Sequence, residues 1–351
     1  MKGLLTVILT LLFLFTIPLI TRASETDSLS KEFNTVEFLF DHIGDSHEWH
    51  FFTMGDKHFS IPLPVILYSK HSGFHIFSSA KFHHPPAQFN FYIDKGGPHD
   101  GKIVETLSDG NAFLPLDISL TKSVANTIIV AFILIFVSVR TARKAAQNRG
   151  KTPKGTHTVL ETFIVFIREN IAKVYIGDKY ERFLPFLTSL FTFIFLANLM
   201  GLILPLGFNV TSNIAITLVL ASFTLLTTMI HGNKRYWRHI FNPDVPIFMK
   251  TPVAPLMQIV EIMGVIIKPT ILMIRLFANM LAGHMIITSL VALIFLMNHT
   301  VGAIAGGAAS VFAVVFSLFI VFLDILVSFI QTYIFTLLSA LYIGFATDDG
   351  H

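Results

Sequence analysis

The sequence predicts an all-α polytopic membrane protein with about five transmembrane helices, the last two long and tilted. A cytoplasmic-side amphipathic helix and a small β-rich extracytoplasmic N-terminal segment complete the prediction. Three observations lead there. Of the 351 residues, 53% are hydrophobic and only 13% charged, against about a quarter charged in a soluble domain. The apolar runs at 253–297 and 303–345 would each exceed ~60 Å as helices, roughly twice the hydrocarbon thickness of a bilayer. Lysine and arginine gather in two loops, 140–155 and 232–250, as expected of cytoplasmic loops.

Residues 1–23 read as a signal peptide, with Lys2, an apolar core from Leu4 to Ile20 and a cleavage site ending at Ala23. The core is long, so an uncleaved first span is the alternative. Residues 24–122 form the extracytoplasmic segment, with 7 Lys/Arg against 13 Asp/Glu. Its aromatic and β-branched patches, separated by Gly-Asp, Pro and Gly-Gly, predict short strands and turns. Nine of the 15 histidines lie here, including His42, His47 and His50. Such spacing suits zinc or copper. No zinc pattern is matched, so a solvated strand-rich surface is the expected reading.

The membrane domain is expected over 123–347. A first span runs from Ser123 to about Val139. The run 140–155 after it has six basic residues and no acid. Such a run can bind nucleic acid, but beside an apolar span it is a topology signal, and no nucleic-acid partner is expected. In residues 156–182, Val159, Phe163, Phe166, Ile167, Asn170 and Val174 follow helical spacing, while Glu161, Arg168, Glu169 and Lys173 prevent a spanning run. An amphipathic helix on the membrane surface is predicted, with a partly buried connector as the alternative. Leu184–Leu206 and Ser212–His231 are ordinary spans. The two long runs follow, with Pro269 a candidate bend. Five crossings place 24–122 outside and the C-terminus inside. No internal repeat is evident, which weighs against an inverted-repeat transporter. The chain has no cysteine and no Gly-rich phosphate loop. No metal, cofactor or catalytic site of its own is expected.

Ionisable residues inside the apolar runs carry the chemistry. A charge at the bilayer centre costs at least ~3 kcal/mol on insertion scales, so each is a functional candidate. Glu261, Lys268 and Arg275 recur every seven residues, close to two helical turns. Asn279 extends their stripe, and His284, nine residues past Arg275, faces nearly the opposite way. On the last helix Ser317, Asp324, Ser328 and Gln331 form a second stripe. Glutamate, aspartate and histidine can pass protons once their surroundings tune them. Arginine keeps its charge, so it separates two aqueous half-paths as a barrier. For any single residue the alternative is helix glue, such as an Asp324–Arg275 pair.

Arg275-Leu276-Phe277-Ala278-Asn279-Met280 with Ala282-Gly283 resembles the signature of subunit a of F-type ATP synthases. Glu261, Lys268-Pro269, Asn198-Leu199-Met200-Gly201-Leu202 with Pro205, and Gln331 followed by Tyr333-Ile334-Phe335-Thr336-Leu337-Leu338 are similar to it as well. The resemblance covers roughly residues 115–347. It implies a proton-translocating stator subunit in a bacterial inner membrane, with the N-terminal segment periplasmic. It implies a rotating c-ring and b-type peripheral stalk subunits as partners, besides protons and the lipid bilayer. It gives Arg275 the role of the essential arginine, Asn279 and Gln331 that of its polar neighbours, and Glu261 that of the cytoplasmic-side carboxylate. His284 and Asp324 match an acid–imidazole pair in the order of the mitochondrial arrangement. The resemblance does not explain residues 24–122. Two other functions compete: a self-contained proton-coupled membrane transporter, and a membrane-anchored metal-binding or assembly protein using 24–122.

Overall fold

The computed structural model describes residues 44–54, 57–82, 90–94, 101–106, 112–147, 156–202, 210–241 and 250–348. The expected signal peptide and His42 lie outside these residues, as does the side chain of His50. The chain divides into one compact unit of Gly44–Ala282 with Asp324–His351 and another containing Gly283–Leu323.

Short strands form in the N-terminal segment, as its β-branched and aromatic patches predict. They are β1 (Glu48–Met54), β2 (Lys57–Pro62), β3 (Pro64–Ser69), β4 (Gly73–Ser78), β5 (Phe91–Ile93), β6 (Ile103–Thr106), β7 (Ala112–Phe113) and β8 (Leu116–Asp117). All pairings are antiparallel: β1 with β2, β3 between β4 and β8, and β6 between β5 and β7. Alternation along β3 sends Val65 and Leu67 inward, where they pack with Phe77, Phe91 and Ile103. The buried Glu105 carboxylate accepts hydrogen bonds from the Ser69 and Ser72 hydroxyls, which offsets its desolvation. His47 Nε2 lies 3.0 Å from Asp117 Oδ2. Burial alone would raise the Asp117 carboxyl. Hydrogen bonds from His47 and Ser119 outweigh it and hold the group below its ordinary value.

This domain is tied directly to the first membrane helix, α1 (Lys122–Gln147). Asp45 Oδ1 accepts from the Ser123 backbone N–H at 3.2 Å, satisfying a donor that a helix start leaves orphaned. Asp45 Oδ2 accepts from Asn213 Nδ2 at 3.2 Å, and the same amide donates to Ser123 Oγ at 3.0 Å. Trp49 and Leu63 pack against Ala125 beneath this junction. α1 continues beyond the expected Val139, carrying Arg140, Arg143 and Lys144 on its last turns.

The amphipathic segment is helical. It comprises α2 (Thr156–Ile167), a π-helical turn Arg168–Ala172 and α3 (Lys173–Ile176), followed by a 3-10 turn Gly177–Lys179 and then α4 (Tyr180–Leu202). Ile167, Ile171 and Ala172 are fully buried with Phe183, Leu187, Phe191, Ala340 and Ile343. Glu161, Glu169 and Lys173 face outward. The inner part of its apolar face is therefore covered by the chain's own helices, as the connector alternative required. Gly177 ends this segment at φ 72°, ψ −143°, a region essentially restricted to glycine.

α5 (Ile214–His231) is capped by Asn213, whose Oδ1 accepts from Ala215 N–H at 2.9 Å. The polar loop after it contains a helix that the apolar periodicity did not reveal, α6 (Lys234–Phe241). The long runs are continuous helices, α7 (Lys250–Thr300) and α8 (Ala303–Thr347). Their turn is tight: the Val301 and Gly302 N–H groups both donate to the Met297 carbonyl, at 3.1 and 3.2 Å. Helices over Lys122–Lys144, Leu160–Leu202, Ile214–His231, Met257–Asn298 and Ile304–Thr347 are long and apolar enough to cross a membrane. At the C-terminus of α8, the Thr347 carbonyl accepts from Lys179 Nζ at 3.0 Å and Asn233 Nδ2 at 2.9 Å. A cation at a helix C-terminus also complements the helix dipole.

One close approach fixes α3 against α8. A Cβ on Gly344 would overlap the Tyr175 carbonyl oxygen, which is backbone and cannot rotate away. Gly264 on α7 has open space at the same position. Gly344→Ala is expected to lower the amount of folded protein recovered in detergent and its melting temperature. Gly264→Ala is expected to be neutral or stabilising by up to ~1 kcal/mol. Thermal unfolding of both purified variants checks the contrast.

Candidate functional site

α7 packs through one face. Leu272, Met273, Leu276 and Met280 are buried against Leu190 and Ile194 of α4, Leu220 and Ala221 of α5, and Phe335 of α8. The polar stripe lies beside that face. Glu261, Arg275 and Asn279 are partly exposed and Lys268 is exposed, as are Ile271, Ile274 and Ala278 around them. The stripe thus borders a surface that the described residues leave uncovered.

Arg275 has no salt bridge or hydrogen bond among the described residues. The Asp324–Arg275 pair that would make either residue helix glue is not formed. Asp324 and Gln331 are partly exposed on α8, while Ser328, Thr332, Phe335, Thr336 and Ser339 are buried. Ser328 Oγ donates weakly to Met280 Sδ at 3.8 Å, between the two helices that carry the stripes. His284 belongs to the unit containing Gly283–Leu323, and its Nε2 is buried without a hydrogen-bond partner among the described residues.

Toward the start of α7, Glu261 Oε2 lies 3.9 Å from His239 Nδ1 on α6. Lys268 Nζ sits 5.8 Å over the Tyr342 ring. A cavity of about 30 Å³ is lined by Thr224, Thr228, Tyr236, Lys268 and Tyr342 among others. His239, Tyr236 and Tyr342 escaped sequence reasoning, which saw His239 as a loop residue. The available signal was Trp237 and Phe241 spaced by four within a basic segment. Their rings stack at 6.0 Å.

The buried Asn198 Oδ1 accepts from Thr211 Oγ1 at 2.5 Å. That bond holds the end of α4 to the turn preceding α5. Among the described residues no group of three His, Cys, Asp or Glu side chains is placed to hold a metal.

Comparison with known proteins settles what this membrane domain is. The family described as ATP synthase A chain matches residues 124–344, well over half of the chain. The chain belongs to the ATP synthase A chain family. ATP synthase subunit a of Chlorobium phaeobacteroides (strain DSM 266) is 40% identical over 237 residues, which cover 66% of this chain and 66% of that protein. The protein of the same name from Chloroherpeton thalassium is 41% identical over 236 residues, covering 66% of this chain and 67% of its own. That of Pelodictyon phaeoclathratiforme is 38% identical over 243 residues, covering 67% and 68%. The matched part is thus about two thirds of each relative. Residues 38–121 match a separate family described as a domain of unknown function, DUF8433. Family membership together with the five apolar helices makes the chain a multi-pass membrane protein. It assigns the chain to the proton-translocating F0 sector, working with the other F0 subunits.

The packing of α7 is open to direct measurement. In the purified subunit, alkylation of Ala278→Cys is expected to be fast. Leu276→Cys, one turn-face away and 1% exposed in the wild-type residue, is expected to react much more slowly. Equal rates would mean that α7 is turned differently about its axis.

Proposed function

We propose that this chain provides two aqueous half-channels to and from a rotating c-ring, separated by Arg275. The single observation that supports it best is the Arg275 guanidinium, unpaired among the described residues and bordering a surface those residues do not cover. A fixed charge so placed is available to a carboxylate carried past by a partner, and it repels a cation moving straight through. Asn279 and Gln331 orient water and the guanidinium around it. Glu261 serves the cytoplasmic half-channel. His284 and Asp324 each serve the outer one, as imidazole and carboxylic acid that take protons from outside. Each proton contributes ~2.3 kcal/mol per 100 mV of membrane potential, so several must pass for each ATP formed elsewhere in the complex.

The partners in this reading are the c-ring and b-type peripheral stalk subunits. Residues 1–23 are a signal peptide, 24–122 a periplasmic segment and 123–347 the membrane domain of an inner-membrane protein whose C-terminus is cytoplasmic. The basic residues on the last turns of α1 and along α6 support that orientation.

Arg275→Ala is expected to abolish proton-driven ATP synthesis while the complex still assembles. Arg275→Lys is expected to fail as well, because an ammonium lacks the planar fork and loses its proton more readily when desolvated. Synthesis at the wild-type rate in Arg275→Ala membranes would overturn the reading.

For orientation, a cysteine placed at Lys144 in this cysteine-free chain is expected to react with an impermeant thiol reagent only from the cytoplasmic side. Labelling of Lys144→Cys from the periplasmic side of intact cells would reverse the topology.

A further inference from the structure

α6 has a buried residue, Ile240, that seats it against the bundle, while Lys234, Arg235, Arg238 and His239 remain exposed. His239 is 56% exposed and Glu261 only 27%. The imidazole therefore stands between bulk water and the less accessible carboxylate, with 3.9 Å from Nδ1 to Oε2. That distance exceeds a direct hydrogen bond and is spanned by a small side-chain rotation or by one bridging water. One turn back on α6, Tyr236 lines the cavity of about 30 Å³ shared with Thr224, Thr228, Lys268 and Tyr342. A water needs roughly 10–15 Å³ of such space and two or more polar partners, and both are present. Burial and then the Glu261 charge push the Tyr236 hydroxyl up, so it stays a hydrogen-bond donor. Polar groups thus follow one another from the surface at His239, past Glu261, to the water-sized cavity at Lys268, two helical turns short of Arg275.

We infer that His239 is the proton-exchanging group at the inner mouth, carrying protons between bulk water and Glu261. The inference rests on the half-channel reading above. Lys234, Arg235 and Arg238 on α6 and Lys268 on α7 hold a positive potential there, and free protons are scarce near neutral pH. Imidazole exchanges protons at that pH, and its two nitrogens allow uptake on one side and release on the other. In the pumping direction, water or a buffer acid protonates Nε2. The Nδ1 proton then passes to the Glu261 carboxylate, and the ring returns to neutral. Synthesis runs the same transfers in reverse. Among the described residues the charged and titratable groups around the ring are Lys234, Arg235, Tyr236 and Arg238 of α6, Glu261 and Lys268 of α7, and Tyr342 of α8 beyond the cavity.

The test uses the assembled synthase in inverted membrane vesicles, whose cytoplasmic face meets the bath. ATP-driven proton uptake is measured against bath pH at low buffer concentration. His239→Gln is expected to slow uptake several-fold near and above neutral pH and to change the shape of the pH profile. Adding a mobile imidazole or morpholine buffer to the bath is expected to restore most of the lost rate, an effect a packing defect would not show. His239→Glu, which keeps a proton-carrying side chain, serves if His239→Gln assembles poorly, and is expected to retain more of the rate than His239→Gln does. An unchanged rate and pH profile, or a deficit that buffer does not relieve, would overturn the inference. Arg275→Ala in parallel vesicles separates the two claims. If it pumps normally, the half-channel reading fails. If it is inactive while His239→Gln matches wild type, only the role of His239 is lost.

Discussion

A guanidinium in an apolar setting must be answered by something, and among the described residues Arg275 has no salt-bridge partner. The membrane part is arranged around that fact. The buried face of α7 is filled by leucine and methionine packed on α4, α5 and α8, leaving no room for a carboxylate beneath the arginine. Buried hydroxyls on α8 are satisfied mainly within their own helix. Thr332, Thr336 and Ser339 each donate to the carbonyl four residues earlier, at 2.7, 2.9 and 2.8 Å. Such back-bonding satisfies a hydroxyl locally. Among the described residues, two further contacts of buried α8 hydroxyls reach other helices, Ser339 to Thr224 of α5 at 3.1 Å and Ser328 to Met280 of α7 at 3.8 Å. None of these bonds engages Arg275.

The same separation appears in the connections at each end. Asp45, Ser123 and Asn213 join the strand domain to α1 and α5, while Lys179 and Asn233 close the end of α8. The Gly344 approach sets α3 against the last turns of α8. None of these junctions uses a residue of the polar stripes.

Much of this was legible in the sequence because it is periodic or local. Long apolar runs give spans, a spacing of seven gives a stripe, and β-branched patches between turn residues give strands. The 156–182 segment was legible as amphipathic, but its partner was not. The residues covering Ile167 and Ile171 come from α4 and α8, and the pattern of one helix says only that some surface will cover it. α6 was missed because eight basic and aromatic residues are too few to establish a period. The approach of His239 to Glu261 spans a loop and joins two elements of unrelated pattern. Arg275 was legible as exceptional from its cost alone. That it stays unpaired among the described residues was not, since the sequence offers Asp324 as a ready partner.

The cap on α1 is a long-range one. Asp45 precedes the strands and Ser123 follows them, 78 positions apart. Bringing two such distant points together costs chain entropy that grows slowly with the length between them, and one hydrogen bond cannot supply it. The strand pairings and the Trp49–Leu63–Ala125 contact supply it instead. The start of α1 therefore depends on the strand domain: loosening the strands would remove the Asp45 bond to Ser123 and, with it, the bond to Asn213 at the start of α5.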